Sequence, residues 1–244
     1  MTLHDAITIR RSRRKYSPAP LGASIVAELQ TLIAQCVSKE HLDIRLVLEN
    51  GAAFNGLSKS YGMFSGVRNY IGLIGKKTDL LNTEKLGYYG ELLVLHATML
   101  GLGTCWVGGS FHRASCPFKL SNDKSVICTI TVGNVSTELG IKEKFIRSVT
   151  HRKTKNIEQM YSSSDVVPAW FLSGMKSVQL APSAVNRQPV MFSYAQAGTV
   201  TASVKNITDD GFALDLGIAK LHFELGADGG TWDFGNGARF RKDI

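Results

Sequence analysis

Two short runs, far apart in the sequence, carry the side chains best suited to bind a ligand. The first, RRSRRKY at Arg10–Tyr16, places guanidinium and hydroxyl donors side by side, a composition that suits a phosphate dianion. The second, APSAVNRQP at Ala181–Pro189, combines a rigid proline with the short polar side chains of Ser183, Asn186 and Gln188. A turn of this composition can direct several hydrogen-bonding groups at one planar ligand.

Each run also has an ordinary structural explanation. A basic N-terminal run is typical of a solvated arm, and a proline-containing turn is typical of the end of a helix. The distribution of charge favours an anionic ligand, because residues 1–160 hold 21 Lys and Arg against 12 Asp and Glu, whereas residues 161–244 hold 7 against 8. The positive excess is concentrated in Arg10–Lys15 and Lys142–Lys155. Nucleic-acid binding is the alternative, but we do not expect it because no nucleic-acid motif is present.

With a third segment, GLGTCWVGG at Gly101–Gly109, the two runs resemble the nitroreductase superfamily of FMN-dependent proteins, and most closely its single-chain branch. The resemblance extends from Ala6 to about Leu225. The residues that it assigns to FMN binding are Arg10, Arg11, Ser12, Arg14, Trp106, Val107, Gly108, Gly109, Arg152, Lys153, Pro182, Ser183, Asn186 and Gln188.

The resemblance also implies which part of FMN each group would contact. Arg10–Ser12 match positions that hold the phosphate and the ribityl chain, and Arg14 matches a cation near N1 that stabilises reduced flavin. Val107–Gly109 match a segment whose backbone amides meet N5 and O4, where glycine permits close approach. Arg152 and Lys153 match a phosphate-binding pair, although a charged surface linker would explain them nearly as well.

The implied activity is that of an NAD(P)H-dependent FMN oxidoreductase with two alternating half-reactions. NADH or NADPH gives hydride to flavin N5 and leaves, and a nitroaromatic, quinone or similar acceptor then enters the same cleft. We expect no catalytic side chain, because this chemistry needs positioning and electrostatics, and we expect His96 and His222 to be core residues. Tyr61, Phe64 and Trp170 are candidate cleft walls or simple core. A flavin-binding storage or sensing protein with little turnover is the alternative.

A faint internal repeat bears on the architecture. Leu92–Trp106 resembles Gly217–Trp232, with His96 matching His222 and Trp106 matching Trp232 at one constant spacing. Chance similarity between two helices is the other explanation. We predict an α+β, nitroreductase-like fold with two pseudo-symmetric halves, residues 1–160 and 161–244, packed intimately or as one domain. Because each flavin motif occurs once, we expect one FMN per chain, in the cleft between the halves.

Hydrophobic periodicity predicts the individual elements. The patterns indicate helices at 21–37, 84–102, 168–181 and 214–225, strands at 44–48, 70–74, 126–132, 190–195 and 199–205, and a frayed or docking tail at 235–244.

Composition sets the remaining bounds. A chain of 244 residues, 44% hydrophobic, can bury a sizeable core. No apolar run reaches the length of about 18 residues that a membrane span needs, and the N-terminus lacks the apolar core of a secretory signal, so we expect a cytoplasmic protein. The four cysteines show no C-x-x-C spacing, and we expect reduced thiols and no metal site. We also expect a monomer, with a homodimer left open.

Overall fold

The chain forms two compact units. In this computed structural model the described residues are 1–54, 60, 62–136, 154–195, 198–205 and 210–242. The first unit comprises Met1, Ile9–Lys77 and Leu93–His151, and the second comprises Thr2–Thr8, Thr78–Leu92 and Arg152–Ile244. The units are therefore not two successive stretches of sequence, and the predicted division after residue 160 stays a prediction. None of the helices in the described part of the chain is long and apolar enough to cross a membrane.

The first unit is built on a four-stranded antiparallel sheet. Its strands are β1 (Asp43–Val47), β2 (Asn69–Gly75), β3 (Gly103–Val107) and β4 (Ser125–Gly133), in the order β1-β2-β4-β3. The two inner strands are almost wholly buried. The alternation of apolar and polar residues in 126–132 predicts one exposed face, but both faces of β4 are buried because β4 is an inner strand of the sheet. Helix α2 (Ala23–Glu40) precedes β1, and helix α3 (Leu80–Met99) lies between β2 and β3 in sequence.

The second unit repeats this arrangement. Helix α4 (Ala169–Gln179) is followed by β6 (Val190–Ala195), β7 (Thr199–Val204), helix α5 (Asp210–Gly226), β8 (Thr231–Trp232) and β9 (Arg239–Arg241). The sheet order is β6-β7-β9-β8, and these strands are antiparallel. A short strand, β5 (Tyr161–Ser163), adds in parallel to β6. The tail predicted to be frayed or docked thus supplies β9 of this sheet.

The order of elements along the chain is therefore the same for the two sheets. Each sheet is accompanied in sequence by a helix before its first strand and a second helix between its second and third strands, and in each the last two strands are exchanged in position, although residues 80–92 of α3 are assigned to the second unit. The residues paired by the sequence repeat occupy matching places, since Trp106 pairs with Ile130 of β4 and Trp232 pairs with Phe240 of β9. This correspondence supports the repeat. An origin in a fused pair of half-dimers stays a prediction.

Glycines allow α3 and α5 to pack closely within the second unit. A Cβ at Gly87 would lie 2.2 Å from the carbonyl oxygen of Leu214, and one at Gly217 would lie 1.9 Å from that of Glu84. Any larger residue at either position would force the helices apart. His222, at 0% exposure, lies 3.0 Å from Glu91 and from the carbonyl oxygen of Ser177, in agreement with its expected core position.

The N-terminal helix, α1 (Leu3–Ile9), was not predicted from the periodicity of the sequence. Thr2 and Asp5 begin it with reciprocal hydrogen bonds, in which the Thr2 amide donates to the Asp5 carboxylate and the Asp5 amide donates to the Thr2 hydroxyl. This is a capping box, so the T-x-x-D spacing was the signal that could have located the helix.

Candidate flavin site

The backbone of the basic run is fixed in place within the first unit. Ser12 forms a parallel bridge with Thr104 of β3, and the Arg13 amide donates to the Thr104 carbonyl at 2.8 Å. On its other side, the Ser65 amide donates to the Arg14 carbonyl at 2.9 Å. The run is therefore held like an additional strand at the edge of β3, which contradicts the alternative of a freely solvated arm.

Two side chains of the run point inward and anchor it. The Tyr16 hydroxyl donates to the Arg13 carbonyl at 2.7 Å and lies 2.6 Å from the Thr131 hydroxyl. The Arg13 guanidinium donates to the Ser136 carbonyl at 2.9 Å, and Arg13 is 8% exposed. No sequence pattern separates Arg13 from its basic neighbours, yet Arg13 is the buried member that anchors the run.

The four residues of this run that were predicted to bind FMN remain accessible to different degrees. Arg10, Ser12 and Arg14 are half-buried, and Arg11 is exposed. Three cationic side chains and one hydroxyl thus project from a rigid segment of backbone, a donor set that suits a phosphate dianion.

The second predicted group lies at the end of the strand that the basic run follows. Val107 is buried and Trp106 is half-buried, so Val107 offers its backbone rather than its side chain. The Arg113 guanidinium donates to the Gly108 carbonyl at 2.9 Å and fixes the chain there.

Gly108 and Gly109 then form an exposed surface that nothing in the described chain covers. A Cβ added at either position would meet no described atom within 4 Å. Neither residue has a positive φ, so backbone conformation does not require glycine there. Close approach of a flat ligand would account for two successive glycines, because any side chain at these positions would occupy the space above the backbone.

The third predicted group lies in the second unit and has an unusual backbone. Between α4 and β6, Val185, Asn186 and Gln188 adopt left-handed φ angles of 46°, 55° and 50°. This region is uncommon for non-glycine residues, and a β-branched residue such as Val185 is especially disfavoured in it. The Val185 side chain is also 56% exposed, so burial of its methyl groups does not compensate for this conformation.

Hydrogen bonds from within the unit hold this turn. The Ala184 amide donates to the carboxylate of Asp215 on α5, with oxygens at 3.1 and 3.3 Å, and Asp215 is 5% exposed. The Gln188 amide donates to the Ser183 hydroxyl at 2.9 Å. The pocket beside the turn has a volume of about 10 Å³, room for about one water molecule, so a planar ligand would lie outside it.

Gln188 has internal partners for its whole side-chain amide. Its oxygen accepts from the Lys155 amide at 2.8 Å, and its nitrogen donates to the Gln179 carbonyl at 3.4 Å. The Gln179 side chain in turn donates to the Lys155 carbonyl at 2.9 Å, so hydrogen bonds link Gln188, Gln179 and Lys155 in a closed cycle. Gln188 is 5% exposed. The structure thus gives Gln188 a part in holding the turn, and its predicted contact with flavin stays a prediction.

The structure therefore brings the predicted residues together in two groups. The basic run and the glycine pair lie along β3 in the first unit, and Pro182, Ser183, Asn186 and Gln188 share one turn in the second. Arg152, Lys153 and Tyr61 lie outside the described residues. Of the other two candidate walls, Phe64 packs edge-on against Phe54, and Trp170 contacts the aromatic core around Phe171 and Phe223.

Nothing in the described chain points to a thiol nucleophile. None of the four cysteines, all of which lie within the described residues, forms a disulfide, and burial raises the pKa of Cys128 to about 12. Burial also raises the pKa of the Cys36 and Cys116 thiols, which keeps them protonated at neutral pH. In the part of the chain that is described, no group of three or more His, Cys, Asp or Glu side chains could hold a metal ion.

His96 has a different setting from His222. It is half-buried and lines a cavity of about 300 Å³ in the first unit, together with Glu28, Leu29, Leu32 and Leu100. Burial lowers its pKa, although the charge of Glu28 acts in the opposite sense. The expectation of a core position is thus met only in part. None of the residues predicted to bind flavin lines this cavity.

Two sheets that share an antiparallel four-stranded order, together with helices that recur at the same places in sequence, define a nitroreductase-like α+β fold. The protein family described as "Putative TM nitroreductase" matches residues 2–227, and the chain belongs to this family. A structure of a "putative nitroreductase" from Thermotoga maritima shares the fold, with 23% identity, a TM-score of 0.66, and alignment over 98% of this chain and 92% of that one.

More distant structures align only loosely. A nitroreductase family protein from Clostridium difficile is 18% identical, with a TM-score of 0.47 over 68% of this chain and 100% of its own. A nitroreductase with bound FMN from Bacteroides fragilis is 15% identical, with a TM-score of 0.44 over 59% and 93% of the two chains. Neither similarity is strong enough to carry an argument about this protein. No protein among curated sequences matches the chain significantly.

Proposed function

We propose that this protein is an FMN-dependent oxidoreductase that takes hydride from NADH or NADPH and passes it to a nitroaromatic, a quinone or a similar small acceptor. Membership of a nitroreductase family supports oxidoreduction in general. The observation that carries the proposal is the arrangement along β3, where a rigid basic run lies beside a strand that ends in two uncovered glycines. The basic run suits a phosphate group, and the open surface of the two glycines suits a flat ring.

Each group of residues has a separate task in this proposal. Arg10, Arg11 and Ser12 bind the phosphate, as charge-assisted donors to a dianion. Arg14 offsets negative charge on the ring, and the backbone of Val107–Gly109 lines its edge. When bound, FMN supplies an isoalloxazine ring that accepts a hydride from one substrate and gives it to another.

The remaining predicted residues complete the set. Pro182 shapes the turn of the second unit, and Ser183, Asn186 and Gln188 provide its polar groups. Arg152 and Lys153, outside the described residues, are proposed as further phosphate ligands. We propose one FMN per chain, because the equivalent connection of the first unit, between α2 and β1, consists of only His41 and Leu42. That connection has no room for a second polar turn.

The test begins with the absorption spectrum of the purified protein after incubation with FMN. Oxidised flavin absorbs at about 450 nm. We expect one flavin per chain, and anaerobic addition of NADH to one sample and NADPH to another should bleach this band in at least one of them. A protein that takes up no FMN would refute the proposal. One that binds FMN but is not reduced by either nucleotide would be a flavin-binding module instead of an oxidoreductase.

Matched variants of the basic run make this test residue-specific. Arg11→Ala removes an exposed side chain proposed to bind the phosphate, and Lys15→Ala removes another exposed cation of the same run that has no proposed role. We expect Arg11→Ala to weaken FMN binding about tenfold or more, since charge-assisted hydrogen bonds contribute about 1.5–3 kcal/mol, and Lys15→Ala to have little effect. Equal losses in both variants would indicate general charge attraction rather than a phosphate site.

A further inference from the structure

Among the segments predicted to bind flavin, the turn between α4 and β6 has the most strained backbone conformation. Val185 has φ 46° and ψ 32°, the left-handed region that its branched Cβ disfavours most. The turn remains in this form only if its surroundings impose it, and such imposed conformations cluster at functional sites. Ser183 and Asn186, both proposed flavin contacts, lie on either side of Val185. Their relative orientation therefore depends on the left-handed conformation of Val185.

Asp215 is a buried side chain from outside the turn that bonds to the backbone at its start, in addition to the hydrogen bonds within the turn from the Asn186 and Arg187 amides. Its carboxylate lies within the fold on α5, with 5% exposure, and both of its oxygens are within 3.3 Å of the Ala184 amide. The Ala184 amide belongs to the peptide between Ser183 and Ala184, so this hydrogen bond fixes the chain one peptide before the strained residue. A bond from an amide to a carboxylate is charge-assisted and is stronger than one between neutral groups. The sequence motif did not predict that a side chain from α5 would form a hydrogen bond to this turn.

We propose that Asp215 is a positioning residue for FMN binding: it holds Val185 in the left-handed conformation and so orients Ser183 and Asn186. This inference rests on the proposed function for its ligand. It does not require Asp215 to touch flavin. It differs from the assignment given by the motif, in which every contributing residue belongs to the turn itself.

A double-mutant cycle tests the proposal. Glycine adopts a positive φ without steric penalty, so Val185→Gly removes the strain that Asp215 is proposed to oppose. Asp215→Asn keeps the size of the side chain and removes its charge. We expect Asp215→Asn to weaken FMN binding about tenfold when residue 185 is valine and less than about threefold when Val185→Gly is also present. An equal loss in both backgrounds, or no loss in either, would overturn the proposal.

Unfolding of the flavin-free protein gives an independent readout. If Asp215 holds the strained turn, Asp215→Asn should lower the thermal midpoint less in the Val185 background, where relaxation of Val185 recovers its strain, than with Val185→Gly, where the hydrogen bond is lost without such a gain. This measurement stays informative if the wild-type protein binds no FMN, in which case the proposed function fails and the positioning of the turn is still tested. Additive effects on the midpoint would overturn the positioning role whatever the affinity for FMN.

A control variant and a folding criterion separate a specific effect of Asp215 from a general effect of removing a carboxylate. Asp233→Asn alters another carboxylate of the second unit, one paired with Arg241 at 2.6 Å, and should leave FMN affinity unchanged. A loss as large as that of Asp215→Asn would overturn the proposal. If Asp215→Asn fails to fold in both backgrounds, Asp215 supports the fold as a whole rather than the turn, and the proposal is overturned.

Discussion

The ammonium group of Lys220 lies 2.5 Å from the Glu84 carboxylate, and the two side chains are 0% and 1% exposed. Lys220 also donates to the carbonyls of Asp233 and Gly235, each at 3.0 Å, and the Gly235 amide donates to the other oxygen of Glu84. One buried ion pair thus joins α3, α5 and the segment between β8 and β9 within the second unit.

Removing one partner of this pair should be severely destabilising. Glu84→Gln leaves the Lys220 ammonium buried without a compensating charge, and we expect a loss of about 3–5 kcal/mol in the free energy of unfolding. Urea unfolding measures this directly. Arg241→Ala, which breaks an exposed pair with Asp233, is the control and should cost no more than about 1 kcal/mol. If Glu84→Gln were as stable as the control, the pair would have no structural importance.

Acid stability should depend in part on Asp43. Burial by itself would raise the pKa of Asp43, but hydrogen bonds from Arg45 and Lys124 outweigh it, and the pKa is lowered from 3.8. A lowered pKa in the folded state means stability that is present above pH 3.8 and is lost as the pH falls through the folded value. We expect about 1 kcal/mol to be lost in this window, measured by urea unfolding at several pH values.

The matched variant for this pH dependence is Asp43→Asn, which should already lack the pair at pH 7 and should show a correspondingly smaller loss on acidification. Asp165→Asn, at an exposed aspartate of the second unit, should follow the wild-type profile. Identical profiles for Asp43→Asn and the wild type would show that Asp43 does not contribute.

The glycine pair after β3 gives a prediction that separates binding from folding. Gly108→Ala places a methyl group where no described atom lies, at an ordinary φ, so we expect the free energy of unfolding to change by less than about 0.5 kcal/mol. FMN affinity should nevertheless fall about tenfold, because the methyl group occupies the space proposed for the ring. Calorimetric titration with FMN and thermal unfolding measure the two effects.

Gly101→Ala is the complementary control, since Gly101 is equally open but has φ 77°. There we expect about 1 kcal/mol of lost stability from the left-handed backbone and unchanged affinity for FMN. Loss of affinity in both variants, or in neither, would contradict the location proposed for the ring.

Replacing Arg13 should lower the stability of the protein much more than replacing Arg11, although both residues belong to one basic run. Arg13 is buried and donates to Ser136, so Arg13→Ala should destabilise the protein by about 1–3 kcal/mol. Arg11 is exposed, and Arg11→Ala should change stability by less than about 0.5 kcal/mol. Urea midpoints of the two variants test this, and a similar value for both would mean that the run is not anchored through Arg13.

The sequence predicted the main elements because their signals are local. The apolar run of β2, the alternating pattern of β4 and the periodicity of α5 follow from neighbours along the chain. The roles of Arg13 and Gln188 could not be predicted in this way. Their partners, Ser136 for one and Lys155 and Gln179 for the other, are distant in sequence, and only the folded chain brings them within hydrogen-bonding distance.

The same limit applies to short elements and to backbone conformation. β8 and β9 contain two and three residues, too few for a pattern to emerge. The strain at Val185 was equally hidden, because valine normally predicts extended structure, and the turn motif identified polar groups without indicating the conformation that presents them.

The assignment of Thr78–Leu92 to the second unit limits how this protein can be divided. The division changes unit at five points along the chain, after Met1, Thr8, Lys77, Leu92 and His151. A fragment ending at residue 160 would carry Glu84 and Glu91 away from Lys220 and His222, the partners with which they are buried. A fragment designed to fold alone would therefore have to keep Thr78–Leu92 together with the second sheet, so the boundary of an autonomous piece cannot be a single cut in the sequence.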